Sequence, residues 1–148
     1  VVFDLPEVVP LAAEEIAVAG LGGRVSIRAG DYLTDPLAAA GEPPFGAVYV
    51  SNVIHSLSEA ETERLLAKAA GVLAPGGLLV VKDFFLDDSR TRPAAGARFA
   101  VNMLVGTSAG KSYTWSEVEA CCRAIGLGEL RRLPVATASG ILTGRRPE

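Results

Sequence analysis

The chain has 148 residues, 49% of them hydrophobic and 21% charged, with a formal net charge of -3. That length and apolar content fit one soluble globular domain with a buried core. Basic and acidic residues are interspersed without a Lys/Arg run, which argues against a nucleic-acid partner, and no apolar run approaches the roughly 18 to 20 residues needed to span a bilayer. Cys121 and Cys122 are the only cysteines and are neighbours, so no disulfide framework is expected and a reducing cytoplasm is the default setting. The chain opens on Val1-Val2-Phe3, which reads as the middle of a strand with no signal-peptide pattern. We therefore expect a piece of a longer protein.

Val1 to Leu5 is a short apolar strand closed by Asp4 and Pro6. A helix is expected over Glu7 to Ala19, stopped by Gly20, Gly22 and Gly23. Val25 to Arg28 alternates apolar and polar as a second strand, followed by Gly30-Asp31. A Pro/Gly-rich connection leads to Ala47 to Val50, an apolar run suited to a strand buried on both faces. Ser58-Glu59-Ala60-Glu61 is a capping-box pattern, and after it Leu65, Leu66, Ala69, Val72 and Leu73 share one helical face. Pro75-Gly76-Gly77 is expected to stop that helix and turn into a strand over Leu78 to Val81. A longer helical segment comes next. Thr114-Trp115-Ser116-Glu117 is a second capping box, opening a helix with Val118, Cys121, Cys122 and Ile125 on one face. Glu129 to Leu133 and Gly140 to Gly144 are two strand candidates, read as a hairpin at the sheet edge. The alternation of strand and helix predicts a doubly wound α/β sheet, whose ligands bind at the carboxyl ends of the strands.

Three polar residues stand at such strand ends. Asp4 closes the first strand, where a carboxylate suits the two vicinal hydroxyls of a ribose; with Glu7 three residues on, it reads equally well as a helix N-cap. Asp31 follows the second strand, placed to accept from an exocyclic amine such as adenine N6, with Tyr32 or Leu33 to cover the ring; a turn Asp after Gly30 is the competing reading. His55, the only histidine, follows the third strand, and imidazole is suited to general-base work near neutral pH.

Five segments taken in order, Phe3-Asp4-Leu5-Pro6, Gly30-Asp31-Tyr32-Leu33, Ser51-Asn52-Val53-Ile54-His55, Leu73-Ala74-Pro75-Gly76-Gly77 and Lys82-Asp83-Phe84, resemble the caffeate/acetylserotonin-type O-methyltransferases, particularly their bacterial members. The similarity runs over essentially the whole chain. It implies a Rossmann-like class I methyltransferase sheet, mostly parallel with a C-terminal antiparallel hairpin. It also implies S-adenosylmethionine (SAM) as cofactor, S-adenosylhomocysteine as product, and a small-molecule hydroxyl, phenolic or enolic, as acceptor. Residues 1–148 would then be part of the catalytic domain, without the family's glycine-rich first strand and loop and without its N-terminal dimerisation domain; a homodimer is expected of the full-length protein.

By the same resemblance Asp4 binds the SAM ribose, Leu5 beside it belongs to the cofactor site, and Asp31 with Tyr32 or Leu33 holds the adenine. Ser51 lies near the cofactor, where plant relatives often carry Lys. His55 is the general base, and Asp83 stands where the family has a Glu that orients it. Phe99, Asn102 and Met103 line the acceptor pocket. No metal is required. Two positions depart from the plant pattern: Ser56 replaces the Asp after the histidine, and Ser112 falls where a second Glu is expected.

Three other readings stay open. A SAM-binding relative with a non-methylating or partner role is one. A nicotinamide dehydrogenase, using Asp4 on the ribose, is another. The third is a metal-dependent catechol-type enzyme built on Asp83, Asp87 and Asp88. Against that last reading, Asp87 and Asp88 are expected to solvate a loop beside Arg90 and Arg92. Cys121 and Cys122 read as helix core, Trp115 as a packing anchor, and Lys111 and Tyr113 as loop-surface residues.

Overall fold

The computed structural model describes residues 1–135 and 139–148. The chain divides into two compact units, Val1–Glu42 and Pro43–Glu148. In the first, β1 (Val2–Asp4) pairs in parallel with β2 (Ile27–Ala29), and α1 (Val9–Val18) is the crossover between them. The expected helix start is corrected here. Asp4 is no N-cap: Val8 occupies that position without a side-chain cap, and Pro10 stands in the first turn, where its missing N–H has no helical partner to lose. The Asp4 carboxylate accepts instead from the Leu5 N–H at 2.8 Å.

The second unit is built on a four-stranded sheet in the order β3-β4-β6-β5. β3 (Phe45–Ser51) runs parallel to β4 (Leu73–Asp83), whose other edge pairs antiparallel with β6 (Gly140–Arg145); β5 (Gly128–Pro134) closes the expected hairpin. The sheet is mixed because β6, the return strand of the C-terminal hairpin, runs antiparallel to both of its neighbours, β4 and β5. Both capping boxes form. Ser58 and Glu61 exchange bonds at the start of α2 (Glu59–Gly71), and Thr114 and Glu117 do so at the start of α4 (Trp115–Ala124). α3 (Ala94–Gly106) is the longer helical segment.

The apolar face of α2 (Leu65, Leu66, Ala69), the inward residues of β4 (Leu73, Leu79, Val81), Val118 and Cys122 of α4 and Leu142 of β6 are buried. Each such large side chain contributes roughly 1.5–3 kcal/mol by leaving water. Cys121 is half-buried beside them, and burial pushes the two thiols up, Cys121 to about 11 and Cys122 to about 12, so neither presents a thiolate nucleophile. Trp115 is the expected anchor: its ring lies 4.3 Å from that of Phe85 and against Gly140, where a Cβ would overlap the indole.

Pro75-Gly76-Gly77 does not stop a helix. α2 already ends at Gly71, and the three residues lie within β4, whose ladder to β3 slips register between Phe45 and Ala47. Gly76 takes a φ of 69°, and a Cβ on Gly77 would stand 2.7 Å from the Ala74 carbonyl oxygen; the glycines are a bend that a strand with side chains could not make.

Tyr113 is not a surface residue. It is 5% exposed, and its hydroxyl donates to the Leu57 carbonyl and accepts from Thr62 Oγ1, both at 2.9 Å. Lys111 is half-buried over the Tyr113 ring and pairs with Glu59 and Glu117. Arg90 also goes to Glu117, at 2.5 Å, rather than to Asp87 or Asp88.

Tyr113→Phe leaves two buried partners of that hydroxyl unsatisfied, and urea unfolding is expected to show a loss of about 1–3 kcal/mol. Glu117 supplies a pH-dependent term. Burial disfavours its charge, but the Thr114 N–H, Lys111 and Arg90 outweigh burial and hold the carboxyl at about 2, against an ordinary 4.5. A carboxyl lowered by folding stabilises the fold above its unfolded value and loses that contribution as pH falls through the folded one. Urea midpoints of Glu117→Gln should therefore fall less steeply than those of the parent between pH 4.5 and about 2.

Candidate active site

The residues expected to be functional fall in both units, Asp4, Leu5, Asp31, Tyr32 and Leu33 in the first and the rest in the second. In the first, Asp4 and Asp31 stand at the carboxyl ends of two paired parallel strands, since Asp4 is in register with Ala29 and its carbonyl accepts from the Gly30 N–H at 2.9 Å. Gly30 is buried where a Cβ would meet the Phe3 ring at 2.6 Å, so glycine is needed for the strand end to close over Phe3. Asp31 forms a tight turn: its Oδ1 accepts from the Leu33 N–H at 2.7 Å, and its own N–H donates to Asp35 Oδ2 at 2.8 Å. The turn reading of Asp31 is therefore correct, and it also fixes where Tyr32 and Leu33 sit, both half-buried.

In the second unit β3 ends at Ser51, opposite Lys82 of β4. The next residue, Asn52, has a φ of 56°, donates its N–H to the Lys82 carbonyl at 2.9 Å and accepts from Lys82 Nζ at 3.3 Å. Asn tolerates this left-handed conformation better than most residues, and the turn it makes delivers the 3-10 turn Ile54–Ser56 that carries His55.

His55 meets Asp83, the last residue of β4. His55 Nδ1 lies 2.7 Å from Asp83 Oδ1, and the His55 backbone N–H reaches Asp83 Oδ2 at 3.3 Å. The Phe84 N–H donates to Oδ1 at 2.7 Å. Asp83 is 2% exposed, so its charge is kept in a dry place by three N–H donors. A carboxylate only accepts, so Nδ1 is the donor in this contact, and Nε2 is the ring nitrogen left free of it.

Two aromatic rings complete the setting. Phe99 of α3 meets the imidazole edge-on, with centroids 4.9 Å apart at 87°, and Phe84 stacks on Phe99 at 4.1 Å. Of the three residues expected to line an acceptor pocket, Phe99 is thus at the histidine. Asn102 is exposed, and Met103 is half-buried with its carbonyl bound by Thr107.

Ser56 is exposed. Ser112 is 2% exposed, and its Oγ has no hydrogen-bond partner among the described residues. Asp83, Asp87 and Asp88 do not converge: Asp87 accepts from Ser89 at 2.6 Å and Asp88 from Ser116 at 3.0 Å. Sequence reasoning missed Asn52, Phe84 and Gly110 as shapers of the site. Of these only Asn52, directly after a strand, carried a local signal.

The O-methyltransferase domain family matches residues 1–127. The chain belongs to that family. It is 35% identical over 145 residues to the 3-hydroxy-5-methyl-1-naphthoate 3-O-methyltransferase of Streptomyces sahachiroi, an alignment covering 97% of this chain and 41% of that protein. An O-methyltransferase family 2 protein from Planctomyces limnophilus, solved in complex with apigenin, superposes with a TM-score of 0.87 at 28% identity, over 97% of this chain and 41% of the other. Human N-acetylserotonin methyltransferase, solved with SAM, superposes with a TM-score of 0.84 at 23% identity, over 99% and 40% of the two chains; that likeness speaks to fold alone. The expected family and the class I methyltransferase fold are therefore those found, and the chain spans about two-fifths of the length of the relatives it matches. Among the described residues, no helix is long and apolar enough to cross a membrane.

The left-handed residue before the His55 turn gives a local test. Asn52→Val should cost about 1–2 kcal/mol more than Asn52→Gly in chemical denaturation, because only the β-branched residue meets the left-handed penalty in full.

Proposed function

We propose that the protein carrying this chain is a SAM-dependent O-methyltransferase acting on a phenolic or enolic hydroxyl of a small molecule, with His55 as general base and Asp83 as the residue that positions it. The observation that carries the reading is the buried Asp83 carboxylate on His55 Nδ1 at 2.7 Å, in a chain of O-methyltransferase family membership. The acceptor class draws on the naphthoate acted on by the Streptomyces relative and the apigenin bound by the Planctomyces protein.

The residues present fit the cofactor. Asp4, at the end of β1, suits a ribose diol, Leu5 lies beside it, and the Asp31 turn presents Tyr32 and Leu33 as cover for an adenine. We assign Ser51, at the end of β3, to the cofactor side of the site as well. When bound, SAM supplies a methyl group on a sulfonium sulfur. This chain's contribution to the transfer is to align and deprotonate. A neutral hydroxyl is a poor nucleophile, and His55 Nε2 would take the acceptor's proton, the methyl carbon exchanging its bond to sulfur for one to that oxygen so that the thioether leaves. Asp83 fixes the tautomer that makes Nε2 basic and stabilises the imidazolium that results. Phe99 and Phe84 offer aromatic surface beside the imidazole, against which a flat acceptor ring would pack edge-on or offset.

The test uses purified protein with SAM, and with apigenin and a 3-hydroxy-1-naphthoate as acceptors. His55→Ala is expected to lower kcat roughly 100- to 10,000-fold while calorimetry shows SAM binding unchanged; Asp4→Ala should weaken SAM binding. Unaltered turnover in His55→Ala would refute the base. Unaltered binding in Asp4→Ala would refute the ribose contact.

A further inference from the structure

His55 is held from two directions. Its ring and its backbone N–H are pinned by Asp83, at 2.7 and 3.3 Å. Its carbonyl side abuts a different element, the loop that leaves α3. Thr107, the residue after α3, donates its hydroxyl proton to the Met103 carbonyl at 2.7 Å, and the same oxygen accepts the Gly110 N–H at 2.7 Å. The hydroxyl's one proton and one of its lone pairs are therefore both committed, and Gly110 is fixed relative to the end of α3. Gly110 is buried. A Cβ built on it would overlap the His55 carbonyl oxygen and Thr107 Oγ1, and would stand 3.1 Å from Ser56 Cα. Two of these obstacles are backbone of the very turn that carries the base, so they cannot swing aside as the end of a long side chain does.

We propose that Gly110 is a positioning residue for the base: held by Thr107, it sets how far the His55 backbone lies from Asp83 and from α3. The role in turnover rests on His55 being the general base; the geometry does not. α3 then touches His55 twice, through the Phe99 ring 4.9 Å from the imidazole and through Gly110 under the carbonyl. Any side chain at 110 drives the His55 turn away from the loop or the loop away from α3. Either movement alters the geometry at Nδ1 and misaims Nε2, and misplacement by about 1 Å at a reacting group costs on the order of 100-fold in rate.

The test compares Gly110→Ala, Thr107→Val and Thr107→Ser in the protein carrying this chain. Two readouts are used: kcat against KM with the acceptors above, and the proton resonance of His55 Nδ1–H, assigned by its disappearance in His55→Gln. Gly110→Ala is expected to shift or broaden that resonance and to lower kcat by roughly 100-fold, with SAM affinity unchanged. Thr107→Val, which removes the hydroxyl but keeps the shape, should move both readouts the same way by a smaller amount, and Thr107→Ser should restore them.

Parental resonance and kcat in Gly110→Ala overturn the proposal. If Gly110→Ala does not fold, the Thr107 pair decides: a Val variant indistinguishable from parent, or a Ser variant as impaired as Val, overturns it. Turnover that survives in His55→Ala refutes the base reading instead, and the resonance alone then judges the positioning of His55.

Discussion

A carboxylate cannot remain charged in a protein interior without donors, and the second unit is arranged around meeting that requirement at Asp83. β4 is the strand to which both neighbours bind, β3 in parallel and β6 antiparallel, so its last residue is fixed from two sides. Asp83 ends it, facing inward at 2% exposure. The donors come from the Phe84 N–H directly after it and from the ring and backbone of His55. Leaving a buried carboxylate without one of its donors costs more than the roughly 1–3 kcal/mol of an ordinary unsatisfied buried group, so the contact that orients the imidazole also disfavours any local conformation that would release it. Gly140, in register with Asp83 on β6, lets the Trp115 ring close over the strand end, which shields this end of the sheet from water.

Features written in short-range chemistry were legible in the sequence. Both capping boxes need a hydroxyl and a carboxylate three residues apart, and both formed. The apolar spacing of α2 gave its buried face, and the C-terminal hairpin was readable from two short runs. The family was legible from five ordered motifs, none of which would have sufficed alone.

What was not legible depends on contacts distant in sequence. Tyr113 sits among Lys111 and Ser112 and looks like loop, yet its hydroxyl is buried between Leu57 and Thr62, more than fifty residues away. Pro75-Gly76-Gly77 has the local character of a helix stop; that it bends a strand follows from the pairing of β3 and β4, which no nearby residue encodes. Asp4 looked as much like a cap as a ligand site because Glu7 completes the pattern. Helix α1 instead begins at Val9 with Pro10 in its first turn, and this leaves the carboxylate at the strand end. Gly110 carries no pattern at all: its meaning is the His55 carbonyl pressed against it.

The two departures from the plant pattern acquire physical content here. Ser112, at the position where a second family Glu is expected, is buried with an Oγ that no described residue engages, so it offers no second carboxylate to the site. Ser56 is exposed. The orientation of His55 consequently rests on one carboxylate, on the edge-on Phe99 ring with Phe84 stacked behind it, and on the backbone seat that Gly110 provides. A second buried carboxylate would need donors of its own, at a desolvation cost far above that of one unpaired hydroxyl, about 1–3 kcal/mol. Packing in place of a second charge holds the ring through shape alone. A base held in this way depends on α3, the helix that carries Phe99 and, through Thr107, the position of Gly110.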